Sequence, residues 1–172
     1  MNHSRTLNAP GGMTAPISLP APLAAVLRTG NDPVQTLIRL TLGVAMLPHG
    51  AQKLLGWFGG YGFSATMDAL TGMVGLPWII AFLVIVIEFF GGLGLVVGLF
   101  GRVAALGVAS VMVGAIFVGG HLGNGFFMNW TGTQAGEGFE YHLLAIVLAL
   151  AVMVRGSGAA SVDRVLALRS VE

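Results

Sequence analysis

One carboxylate, Glu88, stands near the middle of an otherwise apolar run from residue 78 to residue 99. A charged side chain at the centre of a hydrocarbon layer costs several kcal/mol even on lenient insertion scales, so it calls for a reason. Two are open: a protonated, hydrogen-bonded acid that ties helices together, or a site for a ligand, a quinone or a proton. His49 and Lys53 lie four residues apart and therefore share one helical face, and Pro48 just before them removes a backbone donor and favours a kink. Lys53 reads either as an interfacial lysine with its ammonium drawn to the surface or as a partner for Glu88. His49 reads either as a buried histidine donating to a carbonyl or as a member of the same group. His121, Glu140 and His142 follow in the C-terminal half. Glu88, His49 and Glu140 are the candidates for proton exchange with a substrate. His49, Lys53, Glu88, His121 and His142 are the candidates for a quinone or ligand site.

A metal centre is not expected. Three histidines and two carboxylates are available, but no HxxxH, HExxH or ExxH pair puts two ligands on one helical turn. The chain contains no cysteine, which removes disulfides, thiolate catalysis, iron–sulfur clusters and thiolate zinc sites. Any redox role then needs a borrowed cofactor. The Gly-rich segment 119–125 has neither the strand before it nor the helix after it that a phosphate loop requires.

The elements that must position these residues follow from composition. Over 172 residues the chain is 55% hydrophobic and 9% charged, too little polar surface to cover a water-soluble globule. A net charge of +1 gives no reason to expect a nucleic-acid partner. Crossing a hydrocarbon core takes roughly 20 helical residues, and four stretches approach that: 34–57, 78–99, 103–120 and the shorter 139–154. The expectation is an all-α bundle of four transmembrane helices. Residues 1–32, with Pro10, Pro16, Pro20 and Pro22, read as a disordered cytoplasmic tail and not as a signal peptide. Asp32 and Pro33 read as an N-cap and first helical residue, opening a membrane domain over 33–166, and 167–172 as a C-terminal tail. Gly101-Arg102 is expected to be a tight turn between the second and third spans. Phe63, Met67, Leu70 and Val74 fall at helical spacing and read as a short membrane-surface helix or as a loop.

Orientation comes from counting. With both termini cytoplasmic, that side collects Arg5, Arg28, Arg39, Arg102, Arg155, Arg164 and Arg169, and only Lys53 lies outside. Trp57, Trp78, Trp130, Tyr61 and Tyr141 fall at the outer ends, where amphipathic rings favour the interface. Small-residue stripes mark packing faces: Gly94, Gly98 and Gly101; Glu88, Gly91 and Gly92; Gly107, Ser110 and Gly114 leading to His121; and His142, Ala145 and Ala149. The face from Gly94 to Gly98 also permits self-association. Glu140 projects roughly 160° from His142 at about 100° per residue, so the two do not point at one centre.

Several short segments together resemble the DoxX family of bacterial membrane proteins. They are Leu37-Ile38-Arg39-Leu40, His49-Gly50 and Gln52-Lys53-Leu54; Glu88-Phe89-Phe90-Gly91-Gly92 with Gly98-Leu99-Phe100-Gly101-Arg102; Gly138-Phe139-Glu140-Tyr141; and Ser161-Val162-Asp163 after Gly156-Ser157-Gly158. The resemblance extends over about 34–166. It implies a four-helix membrane bundle in the bacterial inner membrane, with His49, Lys53, Glu88, Arg102 and Glu140 at motif positions and His142 outside the motif. Because the family is named from a component of a thiosulfate-to-quinone oxidoreductase, it also implies the membrane component of a quinone-linked oxidoreductase system. The alternatives are a non-catalytic scaffold docking a partner protein and a small transporter or proton pathway. The lipid bilayer is the expected surrounding, with a protein partner or a second copy of the chain as further candidates.

Overall fold

A computed structural model describes residues 19–169, which contain helices and no strand. The first long helix, α2 (Pro33–Leu55), begins as its sequence dictates. The Asp32 carboxylate accepts from the Val34 and Gln35 amides at 3.0 and 3.1 Å, and Pro33 occupies a position that needs no donor. The helix runs through Pro48 and stops at Gly56, whose φ of 72° suits glycine. α4 (Trp78–Val86), one wide π turn (Ile87–Gly91) and α5 (Gly92–Val97) form a continuous second rod. α6 (Gly101–Phe117) and α7 (Glu140–Arg155) complete the set. α2 packs on α5, on the π turn and on α7, and α6 packs on α7 and on the π turn, so the four rods close into an up-down-up-down bundle. Its core interleaves Leu42 and Met46 with Leu95, Val108, Met112, Ala145, Ala149 and Val152.

The exterior is apolar on every long helix. Leu37 and Val44, Ile79 and Leu93, Val103 and Leu106, and Leu144 and Val147 are all exposed. Trp78–Val97 is long and apolar enough to cross a bilayer, yet only 28% of its apolar window is buried inside the protein. A soluble core helix would be covered, whereas this one is clothed by something outside the chain, as hydrocarbon would do. Gly101–Phe117 is apolar but shorter.

Three short helices dress the two ends. α3 (Gly62–Asp68), continued by a π turn (Ala69–Met73), lies across the end where α2 finishes and α4 begins, with Met67 packed over Ala81 and Ile85. The helical spacing of Phe63, Met67 and Leu70 thus makes a helix and not a loop. At the opposite end α1 (Ala21–Leu27) and α8 (Val162–Arg169) meet.

Four expectations differ from this architecture. The expected tail is a helix over Ala21–Leu27, because Leu27 finds a buried seat and the Arg28 carbonyl accepts from Arg102; residues 1–18 lie outside the described part. The C-terminal helix runs on to Arg169. The turn between the second and third rods is 98–100, where Gly98 and Phe100 have φ of 73° and 51°, and Gly101-Arg102 instead opens α6. The Gly94 to Gly98 face is used internally, since a Cβ on Gly98 would meet Ser161 and Arg39 and one on Gly94 would meet Leu99 and Ala104.

Candidate functional site

Glu88 lies in the π turn, where one extra residue per turn shifts the side chains that follow relative to those before. Opposite it, Gly50 of α2 is so close that an added Cβ would overlap the backbone of Phe89. That absence of a side chain lets α2 approach until the Lys53 ammonium sits 2.5 Å from Oε2 of Glu88. Glu88 is 4% exposed and Lys53 is half-buried. A carboxylate taken out of water without a partner would be strongly disfavoured, and the ammonium offsets much of that cost. Lys53 therefore turns inward to Glu88 instead of outward to the interface.

Above this pair is a cavity of about 620 Å³, within the range typical of small-molecule sites. Its walls are mostly apolar, from Ile80, Leu83, Val84 and Ile87 on one side and Val111, Gly114, Ala115 and Val118 on the other. Leu70, Val74 and Leu76 roof it. Its polar groups are Lys53, Glu88, His49, His121, His142, Tyr141, Ser110 and Glu137. The five residues that the sequence marks for a ligand site thus share one cavity, on three rods and the short turn that follows α6.

Four rings form a row along one wall. His49 and Tyr141 have centroids 5.9 Å apart, Tyr141 and His142 5.8 Å, and His142 and His121 4.2 Å. At the outer end His121 donates through Nδ1 to the Glu137 carbonyl at 2.8 Å. His142 is 6% exposed, with its Nδ1 buried and its ring against the Gly138 backbone.

Glu140 is not among the lining residues; its Oε2 faces the Met128 amide at 3.4 Å. This agrees with its angular separation from His142. Tyr141, expected in the interfacial belt, turns inward and donates to the Met46 sulfur at 3.6 Å. Glu137 was not marked, because it lies in a Gly-rich loop without periodicity. Among the described residues no three His, Asp or Glu side chains gather closely enough to hold a metal ion.

A second polar cluster occupies the opposite end. Arg39, 1% exposed, donates to the carbonyls of Ser157 at 2.8 Å, Val96 at 2.8 Å, Ala160 at 2.6 Å and Leu95. Asp163, also 1% exposed, accepts from the amides of Phe100 and Gly101 at 2.7 and 3.0 Å and from the Ser157 hydroxyl at 2.5 Å. It thereby caps α6 from a distant part of the chain. The protein itself supplies the partners of Arg39 and Asp163, so this cluster is a clasp and the cavity is the candidate site.

Compared with known families, residues 34–121 match the DoxX model, just over half of the chain. The chain belongs to the DoxX family. It is accordingly a membrane protein, in agreement with its apolar exterior. The DoxX match takes in His49, Lys53, Glu88 and His121 and ends before Tyr141 and His142, a shorter span than the sequence resemblance drew. No curated protein and no solved structure matches the chain.

Proposed function

We propose that this DoxX protein is the membrane component of a quinone-linked oxidoreductase system, with the cavity above Glu88 as its quinone site. The observation that carries this reading is an apolar cavity floored by the Lys53–Glu88 pair and walled by His142. A quinone supplies two-electron, two-proton chemistry in an apolar body with two acceptor oxygens. Lys53 would donate to one oxygen while Glu88 holds its ammonium in place. His142 would donate to the other. The electrons come from a redox partner subunit, since the chain has no cysteine to ligate a cluster of its own.

The same reading gives the protein a setting. All four rods cross the bacterial inner membrane, with both termini in the cytoplasm. Arg28, Arg102, Arg155, Arg164 and Arg169 gather at the end away from the cavity, which supports that orientation. Arg39 drops out of this count, because it is buried in the clasp.

Titration of the purified protein with a decyl-substituted benzoquinone, followed by tryptophan fluorescence or calorimetry, tests the proposal. Saturable binding is expected, weakened about tenfold or more in Glu88→Gln through loss of a charge-assisted contact. Absence of saturable binding to the wild type, or an unchanged affinity in the variant, would remove it.

A further inference from the structure

On one flank the cavity reaches the surface of the bundle between α4 and α6. α6 packs against α7 and the π turn but scarcely touches α4, so the two helices part above Ile87. The gap is bordered by Ile80 and Leu83 on α4 and by Ser110, Gly114 and Val118 on α6, all of which also line the cavity. Ile80, Leu83, Ser110 and Val118 are exposed, and a Cβ placed on Gly114 would meet nothing within 4 Å. This gap lies on the flank of the bundle, where the exterior is apolar. A route bounded by isoleucine, leucine and valine admits a hydrocarbon chain and excludes a hydrated solute.

The polar end of the cavity restricts what such a chain can carry. Its charged residues are Lys53, Glu88 and Glu137, and the one cation is already engaged by Glu88. A phosphate-bearing head group would meet more negative than free positive charge. An uncharged ring with acceptor oxygens would not, and Lys53 and the His142 ring on the cavity wall can serve those oxygens.

Resting on the quinone reading above, we infer that the ligand enters sideways from the hydrocarbon through the gap between α4 and α6. It keeps its single alkyl or isoprenoid chain in that gap, with an uncharged ring against Lys53 and His142. The cavity holds the ring and the start of the chain, and the remainder stays in the bilayer.

Three probes separate the possibilities: a decyl-substituted benzoquinone, the same ring without the decyl chain, and decyl phosphate. They are titrated against the full chain in nanodiscs, in the wild type and in Gly114→Phe and Ser110→Phe, each of which places an aromatic ring in the gap. Melting temperature and circular dichroism identify the folded variants, and either variant alone carries the test. The decyl quinone is expected to bind the wild type more tightly than the bare ring, because part of the chain is buried. A folded variant is expected to weaken decyl quinone binding by about tenfold and bare-ring binding by less than about threefold. Undiminished decyl quinone binding in a folded variant would overturn lateral entry and leave the quinone site standing. Decyl phosphate binding as tightly as the decyl quinone would overturn the uncharged head. Failure of both rings to bind the wild type would remove the quinone reading itself and this inference with it.

Discussion

Arg39 and Glu88 are both buried charges, and they are held in different ways. Arg39 is surrounded by carbonyls that belong to α5 and to the segment 157–160, so its removal leaves several buried acceptors unpaired at once. Hydrogen bonds to charged groups are worth about 1.5–3 kcal/mol each, and they act here as a unit. Arg39→Ala is therefore expected to destabilise the protein by about 3 kcal/mol or more, measured by thermal or denaturant unfolding in detergent. Arg39→Lys should recover only part of this, since one ammonium cannot reproduce the guanidinium fork. Quinone affinity of the folded Arg39→Lys protein should be unchanged, because the clasp sits at the end of the bundle away from the cavity; a large loss of affinity would contradict that separation. Glu88 was legible in the sequence, because an acid alone in an apolar run has no ordinary explanation. Arg39 was not, because near the start of an amphipathic helix it looks like any topogenic arginine. Only the return of 157–163 across the bundle end buries it. Tyr141 was misplaced for a similar reason: its position along the chain suits the interface, and only the neighbouring His49 ring shows that it turns inward.

Among the elements, the contact between α2 and the π turn decides whether the site forms. A methyl on Gly50 would overlap Phe89 and come within 2.5 Å of the Glu88 carbonyl carbon, and both are backbone atoms that cannot rotate away. Overpacking of this kind typically costs about 1–3 kcal/mol. Gly50→Ala is expected to lose stability in that range and to loosen the Lys53–Glu88 pair, lowering quinone affinity as well. Gly72→Ala, where an added Cβ meets nothing within 4 Å, should leave both unchanged; equal melting temperatures for the two variants would refute the close approach. The long rods were legible to within a few residues, because their apolar runs are bounded by Pro33, Pro77 and glycines with positive φ. The π turn left no mark in the sequence, since one added residue in a uniformly apolar rod does not change its hydrophobic pattern. α1 and α8 were missed because a helix of seven or eight residues is set by what it docks on and not by its own periodicity.

At the scale of the whole molecule the two ends of the bundle differ in kind, and this polarity predicts how the protein lies in its membrane. One end carries Arg28, Arg102, Arg155, Arg164 and Arg169 around the Arg39 and Asp163 clasp; the other carries the cavity, the ring row and the loop 121–139. That loop is tied down by backbone bonds from Phe139 to Gly125 at 3.1 Å and from Glu140 to Phe126 at 2.9 Å, and Thr133 lies exposed within it. Arginines close to span ends are retained on the cytoplasmic side during insertion, so the cavity end should face outward. Because the chain contains no cysteine, single cysteines report this directly. Thr133→Cys is expected to react with a membrane-impermeant maleimide in intact spheroplasts. Leu168→Cys, exposed on α8, should react only after the membrane is permeabilised. Labelling of Leu168→Cys without permeabilisation would invert the orientation. Labelling of both positions without it would mean an even number of crossings between the loop and α8, where an up-down-up-down bundle of four rods has one.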